Sequence, residues 1–505
     1  MTSKTKVLLV ALDAADEGII RDWAARGRLP VFQQLLESGI WGTTLGPKGH
    51  FASVWPSLMT SVTPARHARY APWQIRPGTY ETYPFRPGDL KREPFWNALC
   101  AAGRRVAVID VPHSMLNSDM RGVQVVNWMT HDVSHGFCTF PAPLADEIEQ
   151  RFGLDPVDVC DHLTIRSTEQ VRNFRDNLVE RVRRKTALAT RLLDRDEWDL
   201  FLTVFSEAHC VGHQCWSVHD SGHPRHDADV ARAVGDPIED VYRALDHAVG
   251  ELVQAAGSEA TVVVCATHGM GPDYNGDHLL QDILVALGYI PAPSPAPLPR
   301  RLLLKAWKRL TPAMRHRLRP LGRRRWGILP SAPADWIVPR LDERNTCWIV
   351  PNGEVYGAIR VNLAGREPKG RIQPGSELDD FCQRVRRDLC ALVNADTGAA
   401  AVRDVLRTAD FESGPYLVEL PDLLIEWNTD TPLSAVHSEK TGTIRRVFAG
   451  ARSGHHRREG LFVMRGPSVR PRHVAEAVSI MDVAPTVASL LGVTLPDVEG
   501  KVIRL

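Results

Sequence analysis

The sequence lacks a charge imbalance: Lys plus Arg number 61 against 60 Asp plus Glu, a formal net charge of +1 over 505 residues. Such a balance supplies no global field that would favour a nucleic-acid polymer. Long apolar runs are also missing, since no stretch of the length a membrane span requires is free of charge. The first apolar run, Val7 to Leu12, is too short for the core of a signal peptide and ends at Asp13. Cysteine is sparse. Nine scattered residues do not form a disulfide framework, and the Cys210–Cys215 spacing is wrong for CxxC chemistry. These absences predict a soluble, reduced, cytoplasmic protein without a transmembrane segment.

What is present is a succession of short buried-strand signatures. "KVLLVALD" (6–13), "RVAVIDVP" (105–112), "DLFLTVF" (199–205) and "TVVVCATHG" (261–269) are continuous apolar runs, with helical stretches such as 176–194 and 238–256 between them. The alternation predicts an α/β fold with a mostly parallel central sheet flanked by helices. In such sheets ligands collect at the carboxyl ends of the strands, where Asp13, the "SEAH" segment and "THG" fall. The chain is long enough for two or three structural units. Residues 291–299, "PAPSPAPLP", read as an extended linker. Eleven Lys or Arg then lie between Arg300 and Arg325, interleaved with Leu302, Leu303, Trp307 and Leu310. This reads as a solvated basic helical hairpin, as a cap over an anionic substrate or as a contact with an acidic membrane surface. The expected organisation is therefore 1–290, first part of the core; 291–345, linker and basic insertion; 346–505, second part of the core.

In "SEAHCVGHQCW" (206–216), His209 and His213 stand four apart, on one face of a helix. Cys210 occupies the place where a zinc peptidase of the HExxH type needs its Glu. With Asp13, His268 and the pair His455–His456, these are metal ligands dispersed over several strand ends. Imidazole and carboxylate suit zinc, manganese or iron better than magnesium. A metal of this kind also needs a nucleophile or an activated water. "GHFASVWPSLMTSVTPARHARY" (49–70) offers Ser53 and Ser57 where a helix begins.

These segments together resemble the alkaline phosphatase superfamily, in particular its type I phosphodiesterase/nucleotide pyrophosphatase branch. "VLLVALDAAD", "GRLPVFQQLLESGIWG", "VWPSLMTSVTPARHARY", "EVYGAIRVNLAGREPKG", "LPDLLIEW" and "SGHHRREGLFVMRGPSV" through "IMDVAPTVASLLGVTLPDVEGKVI" follow in the branch's order. The resemblance implies a first metal on His209, His213 and His456, with His209 standing where Asp is usual. It implies a second metal on Asp13, the nucleophile and His268. Thr267 replaces the acid of that branch's "DHG" motif, so either the second metal is weak or Asp273 or Asp277 substitutes; His278 lies close by.

Counted back from Trp55, the nucleophile falls on Phe51, and a slip of two residues puts Ser53 there instead. Ser57 reads better as a packed small residue. Val62 stands where a formylglycine sulfatase needs Cys or Ser, which excludes that activity. Lys48, Arg69 and Arg76, with His50, surround the proposed nucleophile and would bind phosphoryl oxygens. The aromatic run Trp73, Tyr80 and Tyr83 would stack a nucleobase or pack in the core. The implied activity is metal-dependent hydrolysis of phosphate esters, as a phosphodiesterase or nucleotide pyrophosphatase acting through Ser53. One or two divalent ions, most readily zinc, and a phosphorylated, nucleotide-like small molecule would be needed. Two alternatives stand beside it: a phosphotransferase or single-metal biosynthetic enzyme, and a degenerate member that binds a phosphorylated ligand without turnover.

Overall fold

The computed structural model describes residues 6–131, 136–157, 167–292, 341–353, 355–448 and 450–504. The basic insertion expected at 291–345 lies almost wholly outside them.

All six residues of the strand Val7–Leu12 are buried, and they divide between two cores. Val7, Leu9 and Ala11 face Trp55, Leu58, Trp96 and Val487, whereas Leu8, Val10 and Leu12 face Ile20, Trp23, Leu178 and Leu245. A strand covered on both faces has no polar side to show, which is why the run reads as unbroken. Each of the Val and Leu side chains contributes about 1.5–3 kcal/mol by leaving water.

Thr261–Ala266, Val7–Leu12, Leu200–Phe205, Val106–Ile109 and Gly122–Val126 lie side by side in that order, all parallel. Glu459–Arg465 and Ile40–Leu45 extend one edge antiparallel, and Cys138–Phe140 closes the other. The sheet is mostly parallel and flanked by helices, the predicted class.

The long helix Thr168–Arg195 starts at a reciprocal cap: Ser167 Oγ accepts from Gln170 N–H, and Gln170 Oε1 from Ser167 N–H, both at 3.2 Å. The helix Pro237–Ala256 packs beside it. No helix among the described residues is long and apolar enough to cross a membrane.

The part after the insertion divides in two. Cys347–Ile349, Tyr356–Val361, Leu423–Trp427 and Val402–Arg407 form a separate antiparallel sheet over the helix Ser376–Cys390, with its own core around Ile359, Val385 and Ile425. The chain then returns to the main sheet through Glu459–Arg465, carrying a histidine-bearing segment back to the strand ends.

Candidate functional site

Strand Leu200–Phe205 surfaces directly into the helix Glu207–His219, which presents His209 and His213 from one face. The strand Gly454–Arg457 pairs antiparallel with Gly269–Pro272, setting His456 opposite Met270. Two glycines permit this approach. A Cβ on Gly212 would stand 2.5 Å from Met270 Cγ, and one on Gly454 would stand 2.2 Å from the Gly212 carbonyl oxygen. The result is a cluster in which the ligand nitrogens of His209, His213 and His456 lie within 4.8 Å of one another. His213 Nε2 and His456 Nε2 are 3.0 Å apart, and the ring centroids of His209 and His456 are 4.9 Å apart.

His268, at the end of Thr261–Ala266, completes the group with its ring 4.4 Å from that of His456. Thus the structure brings together His209, His213, His268, His456 and, beside them, Asp13. His455 turns the other way on its strand, 6.0 Å from His213 between ring centroids.

These histidines fit a cation. His213 Nδ1 donates to the Gly454 carbonyl at 2.8 Å, which leaves the lone pair on Nε2. His268 Nδ1 bonds Thr267 Oγ1 at 2.8 Å, and its buried Nε2 has no hydrogen-bond partner. An imidazole anchored through one nitrogen, with the lone pair of the other turned toward the cluster, is the arrangement a metal takes up. Burial, then the neighbouring His131 and His455, push His268 down to about 3. Burial, then His268, His213 and His209, hold His456 well below the usual histidine range. Both are therefore neutral electron-pair donors at physiological pH.

The other expected residues separate. Ser53 is fully buried, but its hydroxyl donates to the Arg69 carbonyl at 2.6 Å, and it does not line the cavity of about 80 Å³ above the histidines. Phe51 lines that cavity instead, its ring stacked at 14° on His456 and edge-on to His268. Ser57 Oγ is 3.0 Å from His67 Nε2, a packing role.

Arg69 reaches the cavity, with its guanidinium on His113 Nε2 at 3.1 Å. Lys48 does not line it, lying over the Phe411 ring, and neither does Arg76, which is exposed on Tyr83. Asp273 and Asp277 are also elsewhere: Asp273 accepts from Asn275, Asp277 from Trp427 Nε1 at 3.1 Å. His278 bonds the Arg446 carbonyl. Tyr80 is spent on Asn362 and Trp348.

Three ionisable lining residues carry no mark in the sequence: His113, His131 and Arg452. His131 stands 3.4 Å from Asp13 and lies face to face on His209, centroids 3.8 Å apart. A signal does exist in the backbone. Ala14, Asp110, His113 and Asn127 all have φ between 54° and 61°, and all sit just past the ends of parallel strands. Such strained non-glycine residues gather at functional sites.

The mostly parallel sheet thus carries a cluster of histidines at its strand ends. Solved structures share the fold at low identity. Phosphonoacetate hydrolase from Sinorhizobium meliloti 1021 in complex with phosphonoformate is 15% identical, with a TM-score of 0.52 over 97% of this chain and 96% of that one. An inactive variant of murine ectonucleotide pyrophosphatase/phosphodiesterase 5 in complex with AMP is 12% identical, with a TM-score of 0.51 over 98% and 97%. A mutant of the alkaline phosphatase PafA is 14% identical, with a TM-score of 0.51 over 99% and 98%. No curated protein matched. The family model described as type I phosphodiesterase / nucleotide pyrophosphatase matches residues 7–321, and the chain belongs to that family.

Proposed function

We propose that the protein hydrolyses phosphodiesters or pyrophosphates of small, nucleotide-like molecules at a single-metal centre. The observation that carries this reading is the convergence of His209, His213 and His456 beneath a cavity that also holds the buried Arg69. Three imidazoles with an open position suit zinc, with iron or manganese next. When bound, the metal supplies Lewis-acid stabilisation of a phosphoryl oxygen and lowers the pKa of water. Arg69 binds a non-bridging oxygen by its planar guanidinium, and Arg452 lies across the same cavity. Phe51, Trp55 and Pro72 exclude bulk water.

The cavity is small, so the phosphoryl group enters it and the organic groups lie outside. The complexes of the similar folds with AMP and phosphonoformate support this substrate class. Ser53, held by the Arg69 carbonyl, is a poor nucleophile here; water is the better one.

The test measures zinc per chain together with p-nitrophenol release from a bis-ester and a mono-ester. The reading expects one zinc per chain, faster bis-ester hydrolysis, loss of zinc in His209→Ala, His213→Ala and His456→Ala, and turnover kept within about tenfold in Ser53→Ala. A Ser53→Ala protein slowed by the several orders of magnitude typical of a lost nucleophile would restore the serine mechanism. Phe51 and Thr267 favour a second reading, a binder of phosphorylated ligands. Tight binding of AMP with neither ester hydrolysed would establish it.

A further inference from the structure

Arg69 is pinned at its root. Its carbonyl accepts from the Ser53 hydroxyl at 2.6 Å, and its N–H donates to His67 Nδ1 at 3.1 Å. Ser53 and His67 are fully buried, so neither contact competes with water. An arginine pinned only there would keep a long side chain free to turn, and ordering it as a ligand arrives would cost affinity. Here the tip is held as well. Arg69 Nη2 lies 3.1 Å from His113 Nε2, and the guanidinium stands 5.7 Å from the centroid of the Phe85 ring. Arg69 is 2% exposed and still lines the cavity above the histidines.

Chemistry fixes the direction of the bond to His113. A guanidinium has only donors, so the imidazole accepts, with its lone pair on Nε2 and its proton on Nδ1.

The backbone that carries this imidazole is strained. Val111, Pro112, His113 and Ser114 form a turn closed by the Ser114 N–H on the Val111 carbonyl at 3.3 Å, and Ser114 Oγ bonds the same carbonyl at 2.8 Å. At the third position, His113, φ is 61°, a conformation that glycine or asparagine ordinarily takes there. Glycine would close this turn without strain. What the histidine adds is an acceptor at the strand ends, within reach of Arg69.

We propose that His113 is a positioning residue that aims the Arg69 guanidinium at the phosphoryl group of the substrate. It holds the fork in place before the ligand arrives, so that the ligand does not have to order it. The proposal rests on the phosphoryl-binding role given to Arg69 above.

The test is a double-mutant cycle read by the affinity of the zinc-supplemented protein for inorganic phosphate. Arg69→Met should weaken phosphate on the order of a hundredfold, and His113→Gly on the order of tenfold. Glycine suits a φ of 61°, so the turn persists and the loss reports the imidazole. In Arg69→Met/His113→Gly the affinity should equal that of Arg69→Met, because the imidazole acts only through the guanidinium. His113→Gln, whose amide oxygen reaches the place of Nε2, should bind phosphate within about threefold of wild type.

Additive losses in the double variant would overturn the proposal, since His113 would then act on phosphate or on the fold by itself. So would a His113→Gly protein that binds phosphate as tightly as wild type. A second measurement needs no phosphate. Long-range ¹H–¹⁵N correlation of the imidazoles at pH 8 should show His113 as Nδ1–H, assigned by His113→Gln, and Arg69→Met should release that tautomer. His113 found as Nε2–H in wild type would overturn the proposal. If wild type binds no phosphate, the functional reading of the site falls, while the tautomer still decides whether His113 holds Arg69.

Discussion

At the scale of single residues, Thr267 has its hydroxyl 3.4 Å from an oxygen of Asp13 and 2.8 Å from His268 Nδ1, and the effect of a carboxylate in that place follows from the distances. Thr267→Asp would set a second buried negative charge against Asp13. In the metal-free protein the pair would repel, at a cost on the order of 3 kcal/mol for an uncompensated buried charge. A divalent ion would reverse the sign, because two carboxylates and His268 then make a second site. Thr267→Asp is therefore expected to lower the urea midpoint of the metal-free protein and to raise zinc from one to two ions per chain. At a hundredfold excess over Kd, zinc would return about 2.7 kcal/mol of stability. A stoichiometry that stays at one would show that the Trp55 indole, which donates to Asp13 Oδ1 at 3.1 Å, keeps that carboxylate from a second ion.

At the scale of elements, the helix Thr168–Arg195 is tied to the site through buried charge. Lys185 is fully buried; its Nζ donates to the Val204 carbonyl at 3.1 Å and stands 3.5 Å from Glu207 and 3.7 Å from Asp110. Glu207 opens the helix that carries His209 and His213, and Asp110 ends strand Val106–Ile109. Burial pushes both carboxyls above the usual carboxylate range, with Lys185 pulling each back. Lys185→Met would leave two acids without their cation, and such a loss costs about 3–5 kcal/mol. Urea denaturation should show a loss of that size, partly recovered in Lys185→Met/Glu207→Gln; a loss below about 1 kcal/mol would mean that Arg181, 3.9 Å from Glu207, carries the compensation alone.

The elements themselves were largely legible. Runs covered on both faces leave an unbroken apolar signature, and the four read in advance are all strands of the main sheet. Gly122–Val126 escaped because Gln124 interrupts it; that side chain accepts from Asn117 N–H and donates to the Met115 carbonyl. Of the site, His209 and His213 were legible from helical spacing. His131 was not, because a lone histidine in a turn is given its place only by Asp110 and the neighbouring strands. For Ser53 the sequence places a hydroxyl near a helix start but does not reveal its hydrogen bond to the Arg69 carbonyl.

For the whole molecule, buried neutral histidines and a buried carboxylic acid give stability a pH dependence whose parts oppose one another. Burial lowers His50 from 6.5 to about 4, partly offset by its hydrogen bond to Asn352. Burial, then the charge of Arg69, lowers His67 to about 3; its Nδ1 accepts the Arg69 N–H at 3.1 Å, a bond that protonation would break. Between pH 4 and 6.5 the unfolded chain therefore binds a proton at each of these positions and the folded chain does not. Stability from each is complete above pH 6.5 and falls with pH by about 1.4 kcal/mol per pH unit. Glu412 acts in the opposite sense. Burial raises it from 4.5 to about 7, against the pull of Thr63 and the Ala65 N–H. Between pH 4.5 and 7 the folded chain holds a proton there that the unfolded chain has released, so this residue adds stability as pH falls. Over pH 4.5–6.5 the three together leave a net slope of about 1.4 kcal/mol per pH unit, stability rising with pH. Differences from wild type isolate each part. His50→Gln should flatten the slope of unfolding free energy by about 1.4 kcal/mol per pH unit, and Glu412→Gln should steepen it by the same amount. Urea titrations of the metal-free protein at intervals from pH 4.5 to 7 read both. If Glu412→Gln flattens the curve instead, the carboxyl is ionised in the folded protein, held by partners stronger than the Ala65 and Thr63 donors that reach it.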